Sequence, residues 1–500
     1  MRNESSSGLD GENLMKRFKT IVFALWLGCI SMYAQCQGHD EVQGLAVHSS
    51  TISTPQDSTM RFVRVSRIFI VGNKQTKPQI ILRELNVGEG DVIFLPDLQS
   101  TLIEDKNKLI NTRLFNKVEI HLVEIDRFLV DLIIEVNERW YTFPIPILAL
   151  SDRNFNDWIQ NHDAKLNRLN YGLRFYQYNM RGRNERLRGI IQLGFTRKFE
   201  LSYNIPYINR AQKSGLNIYG GYAENKSVPY RTTEHKLDFI ASEEVLQERF
   251  VAGLNYTKRE NFYTTHHFMV EHNFTTIDDT VAVLNEHYLL DGQTQQRYFK
   301  VGYKYDLDKR DIKAYPLKGH QLILEANKLG LGIYDDIDQW ELYGAFSKFM
   351  DLGRDFYLSA NLTGEIASPE RQPYLDMPAL GYGKDFIRGY ELYVIEGQNY
   401  LINKVAFKKK ILGGDINLEP LLGLDQFRTM PFAIYLKSFY DSGIVNNNLQ
   451  SENSFLNNRY IYGGGIGLDI VTFYDTIIRL EYSVNKQQEG GFFFHFRTDI

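Results

Sequence analysis

Cysteine, proline and long apolar runs are all scarce in this 500-residue chain. The two cysteines, Cys29 and Cys36, both lie near the N-terminus. Neither a disulfide framework nor a thiolate metal site can therefore be built in the body of the protein. Beyond the first thirty residues no segment approaches the ~20 apolar residues that a membrane helix requires. Charge of one sign is lacking too: 57 Lys and Arg against 61 Asp and Glu leave a net charge of −4, which makes no case for nucleic acid. There is no Gly-x-Ser-x-Gly turn, no nucleotide loop and no acid/base pair. The 11 histidines show no ligand spacing, and His266 and His267, adjacent on a strand, face opposite ways. No enzyme active site, cofactor or metal is expected.

What is abundant is Tyr (31) and Phe (32), against only 4 Trp. That excess suits strands and the aromatic girdles of a membrane barrel. A mean hydropathy of −0.33 does not oppose such a barrel, because alternation hides its lipid-facing residues. The N-terminus carries an export pattern: Lys16-Arg17-Phe18-Lys19, the apolar stretch Thr20 to Gly28, and a small-residue cleavage site around Ser31 to Gln35. Residues 1–35 are read as a signal peptide, with Met15 as an alternative start. An N-terminal anchor is the rival reading, and a lipoprotein signal at Cys29 is opposed by Trp26 three residues upstream. Residues 36–60, rich in Ser, Thr and Gln, read as a linker.

A small α+β unit is predicted over 61–138. A strand Phe62–Val71 ends at Gly72-Asn73, a helix follows Thr76 from Lys77 to Leu85, and an amphipathic helix runs from Leu98 to Leu109. Strands Val118–Glu124 and Phe128–Val136 close the β-α-α-β-β order. That order, with Val71-Gly-Asn-Lys-Gln-Thr76, Gly88-Glu-Gly-Asp91, Leu114-Phe-Asn-Lys-Val118 and Ile134-Glu-Val-Asn-Glu138, resembles a POTRA domain. POTRA domains are the periplasmic modules of outer-membrane assembly and secretion proteins. The resemblance implies that a client segment adds to an exposed sheet edge, here around Val118, Glu119, Ile120 and Phe128. A domain that only holds the rest of the chain in place is the alternative.

From Tyr171 onward, alternating segments recur between polar turns. Phe299, Val301, Tyr303 and Tyr305 oppose Lys300, Gly302, Lys304 and Asp306, and Ile478, Leu480, Tyr482 and Val484 oppose Arg479, Glu481 and Ser483. Apolar-out, polar-in over about ten residues marks a transmembrane strand with a wet interior. A soluble sandwich or propeller is the rival. Candidate strands lie near 169–178, 186–196, 198–206, 214–223, 233–242, 247–258, 265–276, 296–307, 319–328, 337–350, 353–366, 398–411, 431–441, 460–471, 475–485 and 489–498. They make an all-β barrel of sixteen strands over 165–500, with fourteen or eighteen still open. Phe143-Pro-Ile-Pro-Ile147 carries too much proline for a ladder, so 139–164 reads as a joint. The seam is expected between the strand ending at Met180-Arg-Gly-Arg183 and the last one, Gly491 to Phe496. A weak closure there would let an incoming strand template on the free edge.

One stretch breaks the alternation. Gly381 to Tyr393, centred on Arg388-Gly389-Tyr390, is rich in glycine and aromatics and falls after the eleventh candidate strand. The small domain, the strand count and this loop together resemble the BamA/TamA-like outer-membrane assembly superfamily (bacterial surface antigen family). Asn179-Met-Arg-Gly-Arg-Asn-Glu185, Asp306 to Asp311 with Tyr315 to Gly319, and Phe439-Tyr-Asp-Ser-Gly443 agree. The resemblance implies that Arg388 enters the lumen and pairs with Asp441 on the thirteenth strand. An acid on the twelfth strand would add a second contact, but Ala406 stands there. Gly463, Gly465 and Gly467 share a strand face and either leave room for the loop or simply bend the barrel. Lys408-Lys-Lys410 reads as barrel rim or lumen surface.

By resemblance, the protein inserts, assembles or translocates unfolded outer-membrane or secreted clients at the cell outer membrane, with its small domain in the periplasm. The lipid bilayer and periplasmic chaperones or accessory lipoproteins would be its other partners. A dedicated two-partner-type secretion pore and a passive channel or surface-binding barrel are the alternatives.

Overall fold

A computed structural model describes residues 62–150, 169–334, 336–377, 379–381, 385–417, 429–448, 454–472 and 474–497. The expected signal peptide, both cysteines, the linker and residues 151–164 of the expected joint lie outside the described residues.

Alternation makes β1 (Phe62–Val71) a strand that buries Val65, and the chain turns at Gly72. A side chain there would strike the Val136 carbonyl at 2.1 Å. Pro78, free of an intrahelical donor obligation at the first position, opens α1 (Pro78–Leu82), which buries Ile80 and Ile81. A short β2 (Val92–Phe94) leads into α2 (Leu95–Asn111), and β3 (Phe115–Asp126) and β4 (Leu129–Glu138) follow. The sheet order is β2-β1-β4-β3, with β1 parallel to β4 and β3 antiparallel to it. The expected β-α-α-β-β order thus holds, with β2 as an additional edge. Ile80, Ile81, Leu109, Phe115, Val118 and Ile134 form the core between helices and sheet.

Sixteen of the remaining strands make one sheet, every pair antiparallel. In order they are β5 (Thr142–Leu150), β6 (Leu169–Met180), β7 (Glu185–Gly194), β8 (Arg197–Ile205) and β9 (Ser214–Asn225). A side hairpin intervenes, β10 (Ser227–Thr233) and β11 (Lys236–Ala241), which forms its own two-stranded sheet. The main sheet resumes with β12 (Gln247–Arg259) and β13 (Thr264–Ile277) and, past the short helix α3 (Asp279–Leu284), with β14 (Gln295–Asp308). β15 (Gly319–Leu329), β16 (Gln339–Gly353) and β17 (Phe356–Ser368) follow. A long loop containing β18 (Ala379–Leu380) and β19 (Ile395–Glu396) precedes β20 (Asn399–Asn417). β21 (Thr429–Asn446), β22 (Ile461–Thr472), β23 (Ile477–Asn485) and β24 (Gly490–Arg497) complete it.

Two expectations are corrected, and they cancel in the count. The segment 233–242 belongs to the side hairpin, because alternation reports a half-buried strand without saying which sheet it joins. The proline-rich 142–150 is the first strand of the barrel rather than a joint. It tolerates Pro144 and Pro146 because it is an edge, paired only with β6, and both prolines sit where the backbone nitrogen faces away from that partner. The strand ending at Met180 is therefore second in the sheet and paired on both sides. The sheet ends are β5 and β24, and no ladder joins them among the described residues. The barrel nevertheless curls until its ends approach, since Phe143 on β5 packs edge-on against Tyr474 just beyond β22, ring centres 5.9 Å apart.

The barrel is inside-out relative to a soluble sandwich. On β21 to β24 the large exposed side chains are apolar, such as Ile466 at 60% and Phe492 at 88%. Polar side chains are among the most buried there: Asp441 is 0% exposed, Asp469 1% and Ser483 0%. Water would penalise that arrangement; lipid outside and a polar lumen require it. No described helix is long and apolar enough to cross a membrane.

Candidate functional site: an arginine clamp in the barrel lumen

Alternation fixes which face of each strand looks inward. On β21 the inward set includes Tyr435, Lys437, Phe439 and Asp441; on β22 it is Gly463, Gly465, Gly467 and Asp469. The loop between β17 and β20 descends among them. Tyr382, Gly383 and Lys384 of that loop lie outside the described residues.

Arg388 meets Asp441 as a fork on a carboxylate. Its Nε donates to Oδ2 at 2.7 Å, Nη2 donates to Oδ1 at 2.6 Å, and its backbone N–H adds a 3.2 Å bond to Oδ2. The guanidinium lies 3.8 Å over the Phe439 ring, so charge pairing and stacking act on the same group. The expected pair is therefore formed. The second acid comes from a strand that sequence reasoning had not chosen: Nη1 donates to Glu481 Oε1 on β23 at 3.3 Å. Ala406 on β20 is buried and makes no such contact.

Glu481 extends the site. Lys437 Nζ lies 2.8 Å from its Oε1 and also bonds Asp469, which accepts the Tyr315 hydroxyl at 2.9 Å. Arg388, Lys437, Asp441, Asp469 and Glu481 form a chain of alternating charges spanning β21, β22 and β23. A chain of this kind holds in a low-dielectric interior only when each charge keeps its partner. Glu481 and Asp469 were legible only as inward-facing polar residues; nothing local marks them as partners of the loop.

The glycines on β22 are explained one by one. A Cβ on Gly463 would stand 2.1 Å from the Arg388 carbonyl, so this glycine makes room for the loop backbone. On Gly465 it would strike the Tyr482 carbonyl of the neighbouring strand at 2.0 Å and the Phe439 ring at 2.9 Å, and on Gly467 the Leu480 carbonyl at 2.8 Å and the Glu481 and Lys437 stems at 2.9 and 3.0 Å. Gly389, at φ +93°, takes a left-handed turn that packs it on Asn485, whose side chain donates to the Gly389 carbonyl at 3.0 Å. Tyr390, 2% exposed, donates its hydroxyl to Gln487 at 2.6 Å. Lys408 faces the lumen, 4.2 Å over the Tyr315 ring, while Lys409 stacks on Phe356 at 4.3 Å.

The small domain docks on the near end of the barrel through several turns. Glu84 takes two bonds from Arg259 at 2.7 and 2.8 Å, and Arg139 pairs with Asp475 at 2.9 Å. The Lys77 N–H donates to the Gly182 carbonyl at 3.0 Å, and Asn179 bonds Thr76 at 2.8 Å. The Thr76 and Glu138 of the domain motifs meet, the Thr76 N–H donating to Glu138 at 2.6 Å. Burial alone would raise the Glu84 carboxyl, but hydrogen bonds from Arg259 and the charges of Arg259 and Arg83 hold it below its ordinary value.

The expected client edge is only partly where it was placed. Among the described residues β3 is an edge of its sheet, and Glu119 and Ile120 lie on it. Val118 is on the same strand, but its side chain is core. Phe128 is not on the edge: it sits in the β3–β4 turn, where its carbonyl accepts from Arg64 at 2.8 Å beside β1. Glu119, His121 and Glu135 bring three potential metal ligands together on this exposed face, but Lys117 already sits 2.7 Å from Glu119. The group reads as a surface charge network.

A search of curated proteins gave no match. Among solved structures, BamA from Haemophilus ducreyi lacking POTRA domains 1–3 is similar at 15% identity and TM-score 0.47, over 87% of this chain and 84% of that one. CdiB from Escherichia coli is similar at 12% identity and TM-score 0.48, over 87% and 74%. CdiB from Acinetobacter baumannii is similar at 14% identity and TM-score 0.46, over 87% and 73%. A POTRA model, described as a surface antigen variable number repeat, matches residues 63–139. The Omp85 superfamily domain model matches residues 179–498, well over half of the chain, and the chain belongs to the Omp85 superfamily.

Proposed function

We propose that this protein sits in the outer membrane, its POTRA domain in the periplasm, and inserts, assembles or translocates other proteins there. The observation that carries this reading is the loop locked inside the lumen beside an unladdered seam. The Arg388 fork fastens the loop to β21 and β23, next to β24, and β24 has no strand on its far side among the described residues. A barrel held from within does not need that seam for its shape. The seam can then expose backbone groups on which an incoming polypeptide pairs, while the POTRA domain offers its own β3 edge to the same client.

Depletion tests the reading: the levels of several unrelated outer-membrane proteins should fall together. A fall in one exported protein alone would make the barrel a dedicated secretion pore. No fall in any, with conductance of the purified protein unaltered in Arg388→Ala, would make it a passive channel.

A further inference from the structure

At the end of the barrel away from the POTRA domain, three connections meet over the mouth. They are the β10–β11 hairpin, the lumen loop where it leaves through β19, and the described parts of the segment between β21 and β22. His235, at the hairpin turn and 4% exposed, touches both of the others. Its carbonyl accepts the Val394 N–H at 2.8 Å, its Nε2 accepts the Leu456 N–H at 2.9 Å, and its ring packs edge-on against Phe455. Beside it lies a cavity of about 20 Å³, to which Thr232 of the hairpin, Glu396 of β19, and Asn447, Ser454 and Asn457 of the third segment contribute. That volume admits one water-sized body.

Three side chains around this cavity turn their donors onto Glu396 itself. Asn457 and Asn447 direct their amide nitrogens to the Glu396 carbonyl, at 2.7 and 3.2 Å, and the Thr232 hydroxyl donates to Glu396 Oε1. The amide oxygens are left as acceptors. Asn447 Oδ1 takes a long bond, 3.4 Å, from Gln398, while Asn457, 6% exposed, has an Oδ1 with no hydrogen-bond partner. A buried oxygen in that condition calls for a ligand. No Lys or Arg pairs with Glu396 among the described residues, and burial pushes its carboxyl up to about 7 despite hydrogen bonds from Thr232 and Tyr374. A water would satisfy the Asn457 oxygen but leave the charge of Glu396 unanswered; a cation answers both. We propose that this cavity binds one calcium-type cation, with Glu396 as its charged ligand and Asn457, Asn447, Thr232 and Ser454 as neutral oxygen ligands, and that the cation pins the three connections together. Oxygens drawn from three irregular connections suit calcium, which accepts uneven coordination, better than magnesium, which demands an octahedron. With a single partly buried carboxylate the affinity belongs to the weak end of calcium sites, a Kd of about 10⁻⁴–10⁻³ M. None of these ligands belongs to the Arg388 clamp or to the seam, so the site stands whichever transport reading holds.

Calcium titration tests the site on the full chain, purified in detergent and stripped of metal with a chelator. Calorimetry should give one calcium per chain. Trypsin cleavage of the hairpin at Arg231 and Lys236 should slow about tenfold at calcium about ten times its Kd, because binding divides the opened population by one plus that ratio. Glu396→Gln should abolish both the binding and the slowing. Glu370→Gln, whose acid accepts from Asn448 outside the cavity, should keep both. Magnesium at the same concentration should protect less than calcium. Unchanged cleavage in the parent would show that the cavity takes water alone and would overturn the site. Equal slowing in Glu396→Gln, or equal protection by magnesium, would mark general screening of surface charge and overturn it too. Stoichiometry in the parent does not depend on how the variants fold: no calcium, or several equivalent calcium ions per chain, also overturns the site.

Discussion

Replacing Arg388 by alanine should loosen the lumen loop more than any other single change in it. The substitution removes a two-bond fork, the weaker bond to Glu481 and a stacking contact 3.8 Å from Phe439, and it leaves Asp441, 0% exposed, without its counter-ion. Breaking a buried ion pair from one side costs about 3–5 kcal/mol, and a desolvated cation–π contact contributes about 2 kcal/mol. Asp441→Ala should cost less, toward the lower end of that range, because Arg388 keeps Glu481 within reach and Glu481 keeps Lys437. The double mutant should be little worse than Arg388→Ala alone, since the first change has already destroyed what the second removes. Two readouts suit the purified, reconstituted barrel: its thermal unfolding, followed by gel mobility, and protease cleavage within residues 385–393. Both variants should impair the same step of client delivery. Fully additive losses would refute the clamp, and so would an Arg388→Lys variant indistinguishable from the parent, because an ammonium cannot make the fork.

Gly463→Ala should displace the loop without touching a charge, because the new methyl would stand 2.1 Å from the Arg388 carbonyl. A loss of about 1–3 kcal/mol is expected, with cleavage in the loop rising as in Arg388→Ala; an unchanged cleavage pattern would show that the loop is not seated there. Docking of the POTRA domain should depend on pH through Glu84. Its carboxyl is held below its ordinary value in the folded protein, so its contribution is complete above the ordinary carboxylate range and is lost as pH falls through the lowered value. Protease release of the POTRA domain should rise only at acid pH in the parent. In Glu84→Gln release should be high at neutral pH, corresponding to a loss of about 1–3 kcal/mol.

Sequence alone determined whatever is local to a strand or a turn. The period of two assigned Asp441 to the inward face of its strand, and composition singled out Arg388-Gly389-Tyr390 as a loop rather than a ladder. The turn residues of the POTRA domain were legible for the same reason: side-chain direction and backbone freedom are settled within a few bonds. Tertiary structure decided everything that depends on which strands meet and in what phase. Glu481, forty residues downstream of Asp441, becomes the second partner of Arg388 only because β21, β22 and β23 lie side by side in one register. Lys437 and Asp469 join it by the same geometry. Alternation at 233–242 could not say that this strand pairs within a side hairpin, and two prolines at 144 and 146 argued against a strand until pairing showed their nitrogens facing the open side. A hydrogen-bond phase is a property of two strands together. So is a counter-ion across a lumen, and neither is written in any one segment of the chain.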